Sequence, residues 1–250
     1  MSEVLLVTGS SGIAAATARV WGAQGSVFII GIQEEQCRVL GSELPEADFQ
    51  AADVSDEKAV SASVAACIRR FGKIDALFNV AGISARSHGD GPLHECTSQA
   101  WDKVMNVNAK GTFLMCREVL RVWTRNAEQG TILNTGSVLA QHPQREHFAT
   151  AGYAASKGSI EAMSLSAAAY YAPAGVRINV IAPGLVLTPM SARAQGDQRV
   201  REYVARKQPL TRGMLAPEDV AKTACFLLGK DSSPITGQVI NVDGGWTVSG

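Results

Sequence analysis

Short runs of apolar residues alternate along the chain with longer segments in which apolar positions recur every three to four residues. Seven runs predict strands, the third of them weaker than the rest: Val4–Thr8, Ser26–Ile30, Asp48–Ala51, Ala76–Asn79, Thr131–Asn134, Arg177–Ile181 and Gln238–Val242. The segments between them predict helices, chiefly Ala14–Ala23, Asp56–Phe71, Trp101–Thr124, Tyr153–Tyr170 and Pro217–Leu228. Continuous apolar strands are covered on both faces, and intervening helices make crossovers between parallel strands. The pattern therefore predicts an α/β fold, a doubly wound parallel sheet with helices on both faces.

The length and composition fit a single domain. The 250 residues are 46% apolar, which is enough for a continuous core, and no low-complexity linker or internal repeat interrupts residues 1–250. Ile83–Pro92 and Gln141–Thr150 are predicted to be loops. Residues 185–215 follow a predicted strand, and we expect them to form a substrate-loop region that covers a pocket.

The charge and cysteine content argue against several kinds of partner. The 23 basic and 23 acidic residues balance, and Arg199–Lys207 is the only dense basic stretch, so we expect no binding to nucleic acid. Five widely spaced cysteines without metal-ligand spacing predict reduced thiols and no metal site. The sequence has no basic leader and no run of about 20 apolar residues. We therefore expect a cytoplasmic protein that does not associate with membranes.

A glycine-rich turn follows the first predicted strand. The sequence Thr8-Gly9-Ser10-Ser11-Gly12-Ile13-Ala14 leads from that strand into a helix. Glycine permits a tight turn and lets the backbone approach a pyrophosphate, which the helix N-terminus stabilises. Such turns are also routine connections, so this segment alone is only a weak indication of dinucleotide binding.

Several other strand ends strengthen that indication. The carboxyl ends of parallel strands meet at one edge of a doubly wound sheet, where ligands bind. The candidate cofactor-binding residues are Gly9, Ser10, Ser11, Gly12 and Ile13 in the turn, and Ile32, Asp53, Val54, Asn79, Ala81, Gly82, Pro183, Gly184, Val186 and Thr188 at later strand ends.

The form of the cofactor depends on the end of the second predicted strand. A carboxylate there would accept hydrogen bonds from the adenosine ribose. The chain has Gly31-Ile32-Gln33 instead, with Glu34 and Glu35 just beyond it. No arginine or lysine in this stretch or in the glycine turn is available for a 2′-phosphate. We therefore expect NAD, slightly in preference to NADP.

A tyrosine and a lysine lie four residues apart in a predicted helix. Tyr153 and Lys157 therefore project from one face, and a close ammonium would lower the tyrosine pKa toward neutrality. Alone, such a pair is more often part of an ordinary helix surface. Ser137 adds a hydroxyl at the end of the fifth predicted strand, placed to donate to a carbonyl oxygen. Asn106 and Asn108 share one turn of a predicted helix, and because asparagine is a mediocre helix former they indicate a distortion or a functional amide.

In combination these motifs resemble the short-chain dehydrogenase/reductase family over nearly the whole chain. The matching elements are Asn79-Val80-Ala81-Gly82, Asn106–Gly111, Ser137, Tyr153/Lys157, Pro183-Gly184, Ile235-Thr236-Gly237-Gln238 and Val242-Asp243-Gly244-Gly245. The resemblance implies a Rossmann-like sheet of about seven strands and a homo-oligomer, a dimer or a homotetramer. It also implies an NAD(P)-dependent oxidoreductase that moves a hydride between the cofactor and a small-molecule ketone or secondary alcohol.

The resemblance further implies one role for each of four catalytic residues. It also implies that two of them, Tyr153 and Lys157, contact the cofactor. Tyr153 would exchange a proton with the substrate oxygen as general acid/base, and Lys157 would hold the nicotinamide ribose and tune Tyr153. Ser137 would orient the substrate oxygen, and Asn108 would hold a water that relays protons to Lys157. The Tyr/Lys spacing of four disfavours an enoyl reductase.

Two departures from the family pattern keep alternatives open. Gly9 and Gly12 enclose two residues where the family has three, and Ala14 replaces the last glycine, so the backbone N–H groups are placed differently around a pyrophosphate. The interval from Ser137 to Tyr153 is about three residues longer than usual, and we expect the extra residues to form a surface loop rather than to bring His142, Arg145, His147 or Phe148 into contact with substrate. The alternatives are a cofactor-binding regulatory or scaffold protein with a degraded dinucleotide site, and a cofactor-using epimerase or dehydratase.

Overall fold

The computed structural model describes residues 2–249, which contain a seven-stranded parallel sheet. Its strands are β1 (Val4–Thr8), β2 (Ser26–Gly31), β3 (Ala47–Ala51), β4 (Ala76–Asn79), β5 (Gly130–Thr135), β6 (Val176–Pro183) and β7 (Val239–Val242). Their order across the sheet is β3-β2-β1-β4-β5-β6-β7, and all neighbours are parallel. The doubly wound, Rossmann-like α/β fold predicted from the sequence is confirmed. The order reverses between β1 and β4, the point at which such sheets bind ligands.

Helices cover both faces of the sheet. Within residues 2–249 they are α1 (Gly12–Gly22), α2 (Glu34–Ser42), α3 (Glu57–Phe71), α4 (Ser98–Val104), α5 (Gly111–Asn126), α6 (Val138–Gln141), α7 (Ala151–Tyr171), α8 (Ala192–Gly196), α9 (Gln198–Lys207) and α10 (Pro217–Leu228). A π-helical turn, Met105–Lys110, joins α4 to α5. The helix predicted over Trp101–Thr124 is thus interrupted at the turn that holds Asn106 and Asn108, as their poor helix propensity indicated.

The sheet divides the apolar core into two layers because successive side chains of a strand point to opposite faces. In β1, Leu6 packs in one layer, which α3 and α5 supply with residues such as Val64 and Val119. Leu5 and Val7 pack in the other layer against α1 and α10. Every residue of β1 is buried. This double coverage explains why the strands are apolar without alternation.

Local signals in the sequence define where the helices begin and end. The Asp56 side chain accepts hydrogen bonds from the backbone N–H groups of Lys58 and Ala59 and so caps α3. Gly72 ends the same helix in the left-handed conformation, with φ of 79°. These caps fix α3 between β3 and β4, on one face of the sheet.

The segment 185–215 differs from the loop that the sequence predicts. Much of it is helical, in α8 and α9, and a bridge between Val186 and Leu215 joins its two ends. Val200 and Val204 of α9 form a small separate core with Phe148 and Trp246. The expectation of a surface loop in Gln141–Thr150 is therefore wrong for Phe148, whose ring is only 7% exposed.

Candidate active site

The glycine turn places the start of α1 at the carboxyl edge of the sheet. Gly9 and Gly12 have φ of 101° and 53°, values that residues other than glycine rarely adopt. The Thr8 hydroxyl accepts hydrogen bonds from the N–H groups of Val80 and Ala81, which ties the turn to the end of β4. No side chain caps the N-terminus of α1, and its first turn carries no acidic residue. The N–H groups of this end are therefore free for an anion.

One cavity of about 290 Å³ runs from this turn to Ser137, Tyr153 and Lys157. It gathers most of the candidate residues from four separate strand ends and from α7. Those that line it are Gly9, Ser11, Gly12, Ile13, Ala81, Gly82, Ser137, Tyr153, Lys157, Pro183, Gly184, Val186 and Thr188. A β-carbon at Gly12 would lie 2.7 Å from the Thr188 methyl group, so the chain that follows β6 closes over the turn.

Five of the cofactor-binding candidates lie outside the lining of this cavity, as does Asn108. Ser10 donates to Gln36, and Ile32 is 72% exposed at the end of β2. The Asp53 carboxylate accepts from the N–H and hydroxyl of Ser55, and Val54 is buried. The Asn79 amide is buried behind the site, where it donates to Asn134 at 2.9 Å. Their role in cofactor binding stays a prediction.

The end of β2 offers neither a carboxylate nor a cation to an adenosine ribose. A β-carbon at Gly31 would lie 2.7 Å from the Cys37 sulfur and 3.2 Å from the Ser10 hydroxyl, so these two side chains occupy that space. Glu35, near this end, pairs with Arg38 of the same helix at 2.6 Å. Both charges are thus engaged with each other on the surface.

Lys157 is buried at the centre of the site. Its side chain is 3% exposed, and Nζ donates to the Thr135 carbonyl oxygen at 2.7 Å. Burial lowers the pKa of Lys157 to about 8, and the carboxylate of Glu161, one helical turn further on, partly opposes this effect. The Lys157 ammonium lies 5.7 Å from the centre of the Tyr153 ring.

The pKa of Tyr153 is not lowered, in contrast to the expectation from the sequence. In the protein alone, burial raises the pKa of Tyr153, and a hydrogen bond with the Ser137 side chain opposes this in part. Lys157 sits over the ring and directs its Nζ to the Thr135 carbonyl, so it does not overcome the loss of water. The Tyr153 phenol is therefore held in its protonated form at neutral pH.

The π-helical turn directs the Asn108 amide inward. Asn108 is fully buried, and its side chain accepts from the N–H of Ile83 at 2.8 Å and donates to the carbonyl oxygen of the same residue at 3.0 Å. It also donates to the Ser156 hydroxyl. A β-carbon at Gly82 would lie 3.1 Å from the Asn108 oxygen and 3.7 Å from Lys157 Nζ. The first distance is tighter than most β-carbon contacts and the second is ordinary van der Waals contact, so a side chain at position 82 would crowd the Asn108 oxygen.

Comparison with known proteins identifies the family. A family model described as enoyl-(acyl carrier protein) reductase matches residues 7–247. The cis-4-hydroxycyclohexanecarboxylate dehydrogenase of Sinomonas cyclohexanicum is 35% identical over 250 residues, which cover 98% of this chain and 96% of that protein. The chain belongs to the short-chain dehydrogenase/reductase family.

Two solved reductases show how far this similarity extends to structure. The 3-ketoacyl-(acyl-carrier-protein) reductase from Brucella melitensis, complexed with NADH, has a TM-score of 0.88 and 29% identity, with 98% of each chain covered. A point variant of actinorhodin polyketide ketoreductase with NADPH has a TM-score of 0.89 and 30% identity, covering 99% of this chain and 98% of that one. This short-chain dehydrogenase/reductase is therefore an NAD(P)-dependent oxidoreductase for alcohols and ketones. The expected enzyme class is confirmed.

Two kinds of feature are absent from the described part of the chain. Within residues 2–249, no three histidine, cysteine, aspartate or glutamate side chains come together in a way that suits a metal ion. None of the helices described in that range is long and apolar enough to cross a membrane.

Asp90 is a residue of the site that the sequence did not indicate. Its carboxylate accepts from the Thr150 hydroxyl and from the N–H groups of Gly152 and Tyr153, at 2.9 and 3.0 Å for the two backbone groups. It thereby caps α7 from outside the helix, at the residue that carries the phenol. Although burial opposes them, these hydrogen bonds hold the pKa of Asp90 below its usual value. No motif identifies it, because the bonds join residues about 60 positions apart.

Four further residues of the cavity wall were not among the candidate site residues. Arg86 follows β4, Arg193 lies in α8, and the rings of Phe148 and Trp246 pack 5.2 Å apart, edge to face. Arg193 does lie in the predicted substrate-loop region 185–215, and Phe148 lies in the segment where the sequence left a substrate contact open. No periodic pattern identifies Arg86 or Trp246, and the fold brings all four residues to one place.

Proposed function

We propose that this reductase interconverts a secondary alcohol and a ketone, with Tyr153 exchanging the proton of the substrate oxygen. The observation that carries the proposal is the cavity, which brings Tyr153, Ser137 and Lys157 together beside the glycine turn. The alternative of a scaffold with a degraded site has less support, because all of these groups are in place. The description of the family model names enoyl reductases, but the spacing of four between Tyr153 and Lys157 favours a carbonyl substrate.

The residues at the glycine turn fit the pyrophosphate of a dinucleotide. The uncapped N-terminus of α1 presents free N–H groups, and Gly9 and Gly12, both with positive φ, line the cavity. We propose that Ser11 and Ile13 complete this part of the site, and that Lys157 holds the nicotinamide ribose. Gly184, Val186 and Thr188 would border the nicotinamide. When bound, the nicotinamide supplies or accepts the hydride.

The protein's own part in the reaction is to move a proton. A phenol that burial keeps protonated is suited to donate to a developing alkoxide when a ketone is reduced. Ser137, near the Tyr153 hydroxyl, would donate to the same oxygen and fix its position. The Lys157 ammonium would then stabilise the phenolate that remains. In alcohol oxidation the same proton moves in reverse.

Asn108 has a supporting role in this scheme. Its amide pins the backbone at Ile83, and both Asn108 and Lys157 approach Gly82. We propose that a water held at this point relays a proton from solvent to Lys157. Lys157 is only 3% exposed, so such a relay would carry the proton past the groups that bury it.

We also propose NAD as the preferred cofactor, in a cytoplasmic homodimer or homotetramer. The support for NAD is the lack of any arginine or lysine at Gly31-Ile32-Gln33 or in the glycine turn, so a 2′-phosphate would find no cation there. Calorimetric titration with NADH and NADPH compares the two affinities, and sedimentation velocity gives the size of the assembly. Tighter binding of NADPH would contradict the preference.

The central test replaces the phenol. We expect Tyr153→Phe to lower kcat for oxidation of cyclic secondary alcohols by about 100-fold or more, since general acid–base catalysis contributes roughly that much. Tyr170→Phe is the matched control, because Tyr170 lies on the same helix and is 77% exposed. Turnover is followed by the absorbance of the reduced nicotinamide. Full turnover in Tyr153→Phe would show that another group moves the proton.

A further inference from the structure

The cavity wall beyond the catalytic residues carries two arginines. Arg86 and Arg193 both line it, and no aspartate or glutamate is among its lining residues in the described part of the chain. Lys157 is the third cation of the cavity and already belongs to the proton-transfer centre. The cavity is therefore strongly positive. The cofactor pyrophosphate has its own site at the N-terminus of α1, so it does not account for the two arginines.

Hydrogen bonds hold both arginines at the Tyr153 end of the cavity. Arg86 donates to the carbonyl oxygen of Ala149 at 2.8 Å, and Arg193 donates to that of His147 at 3.1 Å. Residues 147–149 directly precede α7, which carries Tyr153. Phe148 lies between the two contact points and packs on Trp246. The two guanidinium groups thus flank an apolar wall next to the reacting centre.

Neither guanidinium has an ion-pair partner within residues 2–249. Asp90 is close enough to attract Arg86, but its oxygens already accept from Thr150, Gly152 and Tyr153. Burial and the charge of Arg193 both lower the pKa of Arg86, and Asp90 opposes them. Arg86 is partly buried and Arg193 is exposed, so the cost of bringing the two like charges together falls mainly on Arg86, and an anion that joins them removes it.

We propose that the substrate carries an oxyanion, a carboxylate or a phosphate, remote from its reacting carbon, and that Arg86 and Arg193 bind this group. The inference rests on the proposed function, because it takes the Tyr153 end of the cavity as the substrate site. Each guanidinium uses one N–H group on a backbone carbonyl, which leaves others for the planar fork that matches such oxyanions. Phe148 and Leu139 line the same cavity and would cover the carbon skeleton.

The proposal is tested by binding rather than by turnover. Protein saturated with NAD⁺ is titrated in a calorimeter with cyclohexanecarboxylate, cyclohexyl phosphate and the neutral cyclohexanecarboxamide, none of which has an alcohol to oxidise. We expect one of the two anions to bind at least about tenfold more tightly than the amide, and that anion identifies the oxyanion class. Arg86→Gln and Arg193→Gln should each remove most of this difference and leave binding of the amide unchanged.

Arg145→Gln is the matched control. Arg145 lies in the same 141–150 segment, is exposed, and does not line the cavity. Arg193 is on the surface of α8, so its replacement keeps the test valid even if Arg86→Gln fails to fold. Equal binding of amide and anions, absence of binding by all three probes, or equal losses in the Arg145 and Arg193 variants would overturn the proposal. Tyr153-dependent turnover of neutral alcohols would in that event leave the proposed function intact.

Discussion

Replacing Lys157 by methionine should stabilise the protein against unfolding at neutral pH while it abolishes turnover. The lysine is 3% exposed, and its ammonium has one protein hydrogen bond, to the Thr135 carbonyl oxygen. Removing a charge from such surroundings removes a desolvation cost. The loss of the Thr135 contact opposes the gain, but that contribution does not change with pH.

The size of the effect follows from the pKa of Lys157. Burial lowers it from 10.5 to about 8. At about 1.4 kcal/mol per pKa unit, the protonated lysine costs the folded state about 3 kcal/mol below pH 8. Between pH 8 and 10.5 the unfolded chain binds more protons than the folded one, so the free energy of unfolding rises with pH in this window. Above pH 10.5 the cost is gone.

Urea unfolding at a series of pH values measures this directly. The difference in unfolding free energy, Lys157→Met minus wild type, should fall by about 3 kcal/mol from pH 8 to pH 10.5. Lys222→Met, at an exposed position on α10, is the control and should give a difference that does not vary with pH. A constant difference for Lys157→Met as well would mean that burial does not depress its pKa, and the electrostatic account of the site would fail.

Two further substitutions test the parts of the site that position the ligand and the phenol. Gly12→Ala should weaken NADH binding and destabilise the fold by about 1–2 kcal/mol, because φ is positive and the new methyl group would meet Thr188. Gly213→Ala, with open space around it, is the control, and equal NADH affinity in both variants would refute the packing argument. Asp90→Asn should cost about 1–2 kcal/mol at pH 7 and lower kcat, since it weakens the cap of α7. Because the folded pKa of Asp90 lies below its usual 3.8, this loss should shrink as the pH falls below that value, and a loss that persists undiminished in acid would exclude a charged cap.

The strands and the grouping of Tyr153 with Lys157 could be predicted because each depends on local spacing. A strand covered on both faces, such as β1, is apolar without alternation from Val4 to Val7, and a tyrosine and lysine four apart must share a helix face. Even the π-helical turn had a local signal, since Asn106 and Asn108 fit poorly into a regular helix. Each of these features depends on only a few consecutive residues.

The sequence predicts that residues 185–215 cover a pocket, but it does not show which side chains line the cavity beyond Tyr153, because the lining depends on contacts between distant segments. Arg86 and Arg193 are more than 100 positions apart and meet only through the backbone at His147 and Ala149. Phe148 lies in a segment whose polarity favours a surface loop, and its burial depends on Trp246 near the chain end. No periodic pattern within either segment indicates that these residues come into contact.

The π-helical turn positions both the Asn108 amide and the core-facing side chains of α5. A π turn holds one more residue than an α turn, so α5 is rotated by roughly 100° from the direction that an uninterrupted helix would give it. In that orientation Leu114, Met115 and Val119 face the sheet. A one-residue deletion that restored regular helix would turn both these side chains and the Asn108 amide away from their partners. A change in the length of this turn therefore disturbs the core as well as the amide, which makes the extra residue of the π turn resistant to loss.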